Sequence, residues 1–306
     1  MIVIGESIQI ISRQVRAAIE NRDKSFIQEL ALHQIESGAQ CLDLNIGPQK
    51  KTGAEVMTWM VNTVQEATDI PLALDTTNIE AIEAGLKSCN KTALINSTDA
   101  TPEKLNALIP LAAKYNANIV ALTLGSGGLP ATIDDRLELV LEQILPAAIQ
   151  HNVPFDHLFL DPLALSINSN QEQATETIEA IRYFKQICEP PPVTTCGLSN
   201  ISSGAPEKLR PLINRVFLTM MLGAGLDSAI MNPLDCKLMD TLHIINSGDK
   251  TTPEAELYIE LYNAYAAGEQ FDTSRINSDD PELRDIVRTI KVLQNELLYA
   301  HGYLST

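Results

Sequence analysis

CLDLN (41–45), LALD (72–75), ALIN (93–96), LFLD (158–161) and TTCGLSN (194–200) are short apolar runs, and each ends on a carboxylate, an amide or a hydroxyl. Packing alone requires none of these polar ends. Each run is short enough and β-prone enough to be a buried strand, and an amphipathic helical pattern follows it. In a parallel barrel the C-terminal ends of successive strands converge on one mouth, where such barrels do their chemistry. Asp43, Asn45, Asp75, Asn96, Asp161 and Asn200 are therefore expected far apart in sequence and close together in space.

Working outward, strand signals fall at 2–5, 40–45, 71–75, 92–96, 118–124, 157–161, 193–197 and 227–231. Helical patterns lie between them, near 24–37, 54–68, 78–88, 101–115, 132–150, 170–187, 207–223 and 234–245. Eight strands alternating with eight helices predict an α/β fold, a (β/α)8 TIM barrel over residues 1–250. A doubly wound open sheet is the competing architecture. It is disfavoured because no G-x-G-x-x-G follows the first strand. Thr101-Pro102 and Ala205-Pro206 read as helix starts. Gly125-Ser126-Gly127-Gly128 lacks the Lys-Ser/Thr of a phosphate cradle and reads as a mobile loop over the mouth.

Past residue 250 the alternation stops. Thr252-Pro253 and Asp280-Pro281 each open a helix, and the second carries Leu283, Ile286, Val287, Ile290, Leu293, Leu297 and Leu298 at helical spacing. Residues 251–306 are thus a C-terminal helical extension whose apolar stripe must be covered by the barrel or by a second copy. A homodimer is the expectation.

The chain of 306 residues carries 22 basic and 39 acidic side chains, a formal charge of −17. So acidic a surface argues against nucleic acid and anionic membranes as partners. No apolar run reaches the about 18 residues of a membrane span, and MIVIGESIQI reads as a first strand rather than a signal peptide, so the expected location is cytoplasmic. Five cysteines without a C-x-x-C pair, and five scattered histidines, predict reduced thiols and no protein metal site.

Any one polar strand end could simply cap the next helix. Five together shift the weight, because Thr77, Asn78 and Asp99 suffice as caps and leave Asp75 and Asn96 free to point inward. Asp161 precedes Pro162, which keeps it extended at the lip of its strand. A buried carboxylate needs donors. An amino-pyrimidinone edge offers an N–H beside an NH₂, a match for a bidentate carboxylate, and Asn96 can donate and accept along the same ring. This chemistry suits a pterin or a purine-like ring, and spacing does not choose between them.

GAQCLDLNIGP (38–48), LALDTTNIEAIEAGL (72–86), ALINSTDA (93–100), LFLDPL (158–163), GLSNIS (197–202) and RPLINRVFLTMMLGAGLDSAI (210–230) resemble the methyltetrahydrofolate:corrinoid/iron–sulfur protein methyltransferases, which are pterin-binding TIM barrels. The resemblance runs in order from residue 1 to about 245. It implies transfer of the N5 methyl group between 5-methyltetrahydrofolate and the cobalt of a corrinoid carried by a partner protein, with or without an iron–sulfur centre. It implies that Asp75, Asn96, Asp161 and Asn45 hold the pterin and that Asn200 hydrogen-bonds N5. Asp43 would act near the ring through water, and Gly197 and Ser199 would lie where the corrin approaches. Gly5-Glu6-Ser7-Ile8-Gln9 departs from the family's usual G-E-R-I-N. Ser7 and Gln9 feed an alternative, a folate-binding protein without turnover. A dihydropteroate synthase-like enzyme is the other alternative. Its S-R-K signature is replaced here by Gly197-Leu198-Ser199-Asn200.

Overall fold

A computed structural model describes residues 1–276 and 279–305. Eight parallel strands, β1 (Ile2–Gln9), β2 (Cys41–Asn45), β3 (Leu72–Asp75), β4 (Leu94–Thr98), β5 (Asn118–Leu122), β6 (Leu158–Asp161), β7 (Val193–Thr194) and β8 (Ser228–Met231), form one sheet in the order β7-β6-β5-β4-β3-β2-β1-β8. The seam between β7 and β8 closes through irregular contacts. Ile230 N donates to the Cys196 carbonyl at 2.9 Å, and Asp227 N donates to the Thr194 hydroxyl at 3.0 Å. The fold is a TIM barrel, as the alternating pattern predicts.

Inward-facing residues lie in layers because side chains alternate along each strand. Ile4, Cys41, Ala73, Leu94, Val120 and Phe159, one from each of β1 to β6, form an apolar plug inside the barrel. The outward set, such as Leu42, Leu44, Leu72 and Leu74, packs with the surrounding helices in a separate core. Two residues beyond each plug position the same strands carry Glu6, Asp43, Asp75, Asn96, Leu122 and Asp161. The barrel interior therefore turns from apolar to polar in a single layer.

The structure departs from the sequence reading at several places. β1 runs on to Gln9 past a register shift between Gly5 and Ile8, and the Ser7 N–H freed there donates to the Gln34 side chain at 2.9 Å. A helix Arg13–Asn21, capped by Ser12, precedes the expected Lys24–Glu36. β7 pairs over two residues only, because the chain turns at Gly197 into a short 3-10 segment, Leu198–Asn200. Ala205-Pro206 does not open a helix; that helix is Arg210–Ala224, with Pro211 in its first turn. In the stretch 133–150 the helix widens to a π turn over Val140–Ile144, just ahead of Pro146, which has no N–H to give the preceding turn.

The extension belongs to the same packed body. Helices Pro253–Ala266 and Pro281–Leu293 both lie on Arg210–Ala224, and Ile286, Val287, Ile290, Val292 and Leu293 are buried in one core with barrel residues Ile213, Phe217 and Met221. Gln171 ties the end of the extension down, donating to the carbonyls of Val292 and Leu297 at 2.8 and 2.7 Å. Most of the stripe that motivated a homodimer is covered by its own chain, and Leu298 at its end is left 83% exposed. Gly223 allows the closest approach: a Cβ there would stand 2.5 Å from the Tyr262 carbonyl oxygen and 2.6 Å from Tyr265 Cβ. Gly223→Ala should push the two helices apart and destabilise the protein by about 1–3 kcal/mol, the range for overpacking. Urea denaturation checks this, and an unchanged midpoint would mean that the helix junction yields freely.

Candidate functional site

The polar layer lines a cavity of about 270 Å³ at the C-terminal mouth, built by Glu6, Gln9, Asp43, Asn45, Asp75, Asn96, Ser97, Asp161, Gly197 and Asn200 with Leu122, Leu163 and Ile230. Strand register brings the sequence-distant groups together. Asn45 pairs with Asp75 and Asp75 with Asn96 across β2, β3 and β4, while Asp161 stands opposite Leu122. Larger hollows exist elsewhere, one among residues of the C-terminal extension. Among the described residues, the linings of these larger hollows do not collect this chemistry.

Hydrogen bonds pre-order the walls. Asn96 Nδ2 donates to Asp43 Oδ1 at 2.9 Å, both side chains being buried. The Asn45 amide donates to Asp75 Oδ2, while its Oδ1 accepts from Gly47 N at 3.0 Å. Asp161 Oδ1 accepts from Leu163 N at 2.8 Å, and the carboxyl lines the cavity. Four carboxyl groups converge, and among the described lining residues there is no Lys, Arg or His. Burial accordingly lifts Asp161 to about 6, against opposing bonds from the Leu163 and Gly197 backbones and the Arg136 charge. Burial also lifts Asp75 to about 6, opposed by the Asn45 bond. Asp43 is pushed well above the ordinary range by burial and then by the Asp75 charge. Such a wall accepts hydrogen bonds and repels anions. With the apolar Leu122, Leu163 and Ile230 beside it, it fits a flat ring rich in N–H groups.

Five of the eight sequence-expected residues, Asp43, Asn45, Asp75, Asn96 and Asp161, line the cavity from strand ends. Gly197 and Asn200 line it from the turn after β7. Asn200 is exposed at the rim, whereas Asp43, Asn96 and Asp161 are 3%, 9% and 5% exposed. A Cβ on Gly197 would stand 2.9 Å from Asn200 Nδ2, so glycine makes the room in which the Asn200 amide rests. Ser199 is absent from the described lining, and its hydroxyl donates to Glu6 Oε1 at 2.6 Å. Glu6 and Gln9 are cavity residues that the sequence reading did not assign. The signal was there, since GESIQ is also a strand ending in polar groups. Placing the end of the first strand at residue 5 hid it. Burial raises the Glu6 carboxyl, and the Ser199 bond opposes the rise.

These carboxyls carry a pH signature. Folded, Asp75 and Asp161 keep their protons to about pH 6; unfolded, both ionise around 3.8. Their contribution to stability is complete below pH 3.8 and is lost as pH rises through about 6. The melting temperature of the ligand-free protein should therefore fall between pH 5 and pH 7. In Asp161→Asn, which cannot titrate there, the fall should be shallower, and an identical slope would remove Asp161 from this account.

Comparison with known proteins agrees with this geometry. The family model described as pterin binding enzyme matches residues 13–232. A methylcorrinoid:tetrahydrofolate methyltransferase of Eubacterium limosum is 32% identical over 244 residues, covering 79% of this chain and 89% of that protein. A methionine synthase of Mycobacterium leprae is 31% identical over 242 residues, 76% of this chain but 20% of that protein. Among solved structures, Yersinia pestis DHPS with a pterine–sulfa conjugate superposes with a TM-score of 0.59 at 13% identity, over 81% of this chain and 94% of that one. At that identity the likeness speaks to the barrel alone. The matched residues 13–232, with the long alignment to the Eubacterium limosum protein, place this chain in the pterin-binding enzyme family, among its methyltetrahydrofolate–corrinoid methyltransferases.

Proposed function

We propose that this enzyme moves a methyl group between N5 of a tetrahydrofolate and the cobalt of a corrinoid presented by a partner protein. The gradient of burial across the cavity carries the reading. Asp43, Asn96 and Asp161 are buried, and Asn200 is exposed at the rim. A pterin held at depth by its amino-pyrimidinone edge, on Asp161, Asn96, Asp75 and Asn45, turns its other ring toward Asn200 and the open mouth. The reacting nitrogen then faces the side from which a macrocycle on a second protein can reach it. Gly197 lies on that side, and Ser199 acts at one remove by holding Glu6.

A methyl group on a tertiary amine leaves poorly, so transfer needs positive character at N5 and a donor that strengthens as the bond breaks. The Asn200 amide can offer its N–H or its carbonyl as N5 changes protonation. Burial, and then the Asp75 charge, pushes the Asp43 carboxyl well above its ordinary range, and it can order a water that relays a proton to the ring. The cobalt is the substrate nucleophile and needs no base from this chain. The protein contributes position and charge stabilisation. Both directions of transfer pass through the same transition state.

The dihydropteroate synthase-like reading is weaker because that reaction expels pyrophosphate. A wall of four carboxyls without a lining cation repels such a leaving group. Turnover separates the readings. Given 5-methyltetrahydrofolate and a reduced corrinoid, the protein should yield tetrahydrofolate and methylated corrinoid. Given a dihydropterin pyrophosphate and p-aminobenzoate, it should release no pyrophosphate. Tight folate binding without either reaction would favour a binding protein.

A further inference from the structure

Behind Asp161 lies a cation that the sequence reading did not single out. Arg136, on helix Ile133–Leu139 after β5, is 0% exposed, and a charged side chain is rarely so buried without a directed role. It makes no ion pair among the described residues; the nearby carboxylates Glu176, Asp135 and Asp161 act on it through space. Its donors go to three neutral acceptors. Nε donates to the Pro162 carbonyl at 2.7 Å, Nη1 to the Thr132 carbonyl at 3.2 Å and Nη2 to Gln173 Oε1 at 2.9 Å. Gln173 in turn donates to the Ala131 carbonyl at 2.8 Å.

The first of these bonds reaches the catalytic lip. Pro162 follows Asp161, and Leu163 follows with φ +64, a left-handed conformation uncommon for leucine. Leu163 also lines the cavity, and its N–H caps Asp161 Oδ1. A turn in that conformation holds its shape only if its surroundings fix it, and the Pro162 carbonyl is the point at which Arg136 fixes it. We propose that Arg136 is a positioning residue for ligand binding: its guanidinium locks the Asp161-Pro162-Leu163 turn so that the Asp161 carboxyl and the Leu163 side chain are aimed into the cavity before the ligand arrives. The chain thereby joins the helix after β5 to the tip of β6, and a permanent charge stands behind the carboxylate without touching the ligand.

The inference rests on the pterin reading of the cavity, and a double-mutant cycle keeps the two apart. The dissociation constant of tetrahydrofolate would be measured by calorimetry for the unmodified protein, Arg136→Met, Arg136→Lys, Asp161→Asn and the two double variants, with thermal melts to verify folding. Arg136→Met should weaken binding about tenfold or more, a coupling typical of residues in one hydrogen-bond network. Lysine keeps the charge but cannot reach all three acceptors, so Arg136→Lys should lose about threefold. In the Asp161→Asn background both losses should shrink to less than about twofold, because the group through which Arg136 acts is already disabled. Equal losses in both backgrounds would make Arg136 a general scaffold residue and overturn the assignment. If the methionine variant does not fold, the lysine cycle alone decides, and no loss in Arg136→Lys overturns it equally. If the unmodified protein does not bind tetrahydrofolate, the reading of the cavity falls first. If it binds and no coupling is found, only the role of Arg136 falls.

Discussion

Replacing Asn200 by alanine should slow single-turnover methyl transfer by about a hundred- to a thousandfold, the usual effect of removing one preorganised donor aimed at developing charge. Folate affinity should change little. The reason is where Asn200 stands. It is exposed at the rim on a short 3-10 turn, and the buried carboxyl and amide groups that would grip the ring lie on other elements. Its partner atom changes charge only as the methyl leaves, so the bond strengthens in the transition state and contributes little to the ground state. The assay needs saturating folate and fully reduced corrinoid so that chemistry alone is timed. An affinity loss as steep as the rate loss would make Asn200 a binding residue. No change in either would move the N5 contact to Asp43 or to water.

Asp161→Ala should act in the opposite way. It should weaken tetrahydrofolate binding by about 2–4 kcal/mol, the range for removing one partner of a buried, charged hydrogen bond. Asp161 is 5% exposed, lines the cavity and is held by Leu163 N, so its carboxyl is set to meet a ligand N–H. Because the carboxyl holds its proton to about 6, folate binding to the unmodified protein should also tighten as pH rises from 5 to 7 and should release protons. Calorimetry in buffers of different ionisation enthalpy reads both quantities. Near-unchanged affinity of the alanine variant would remove Asp161 from the site.

The barrel was legible because five of its eight strands announce themselves twice, by apolar runs of strand length and by the polar residue that ends each one. CLDLN shows the limit of that signal. Period two puts Cys41, Asp43 and Asn45 on the inner face, but nothing local says that Cys41 meets Ile4, Ala73, Leu94, Val120 and Phe159 in one plug. That layer comes from barrel closure. Glu6 was missed because a register shift lengthens β1 beyond its obvious apolar part. Arg136 was missed because one arginine in IDDRLEL reads as a solvated helix face. Its burial depends on the Pro162 carbonyl and on Gln173, residues 26 and 37 positions away. The extension's stripe was visible, yet which surface covers it is a property of helix Arg210–Ala224 and of Gly223.

The central claim is tested most directly by rapid mixing of the protein, loaded with 5-methyltetrahydrofolate, against a reduced cobalamin, following the cobalt spectrum through one turnover. The account predicts conversion to methylcobalamin with one equivalent of tetrahydrofolate formed, in a phase that slows by about a hundred- to a thousandfold in Asn200→Ala and keeps its rate in Gly223→Ala. Folate bound at the cavity with no change at cobalt, in the presence of a competent corrinoid, would contradict it.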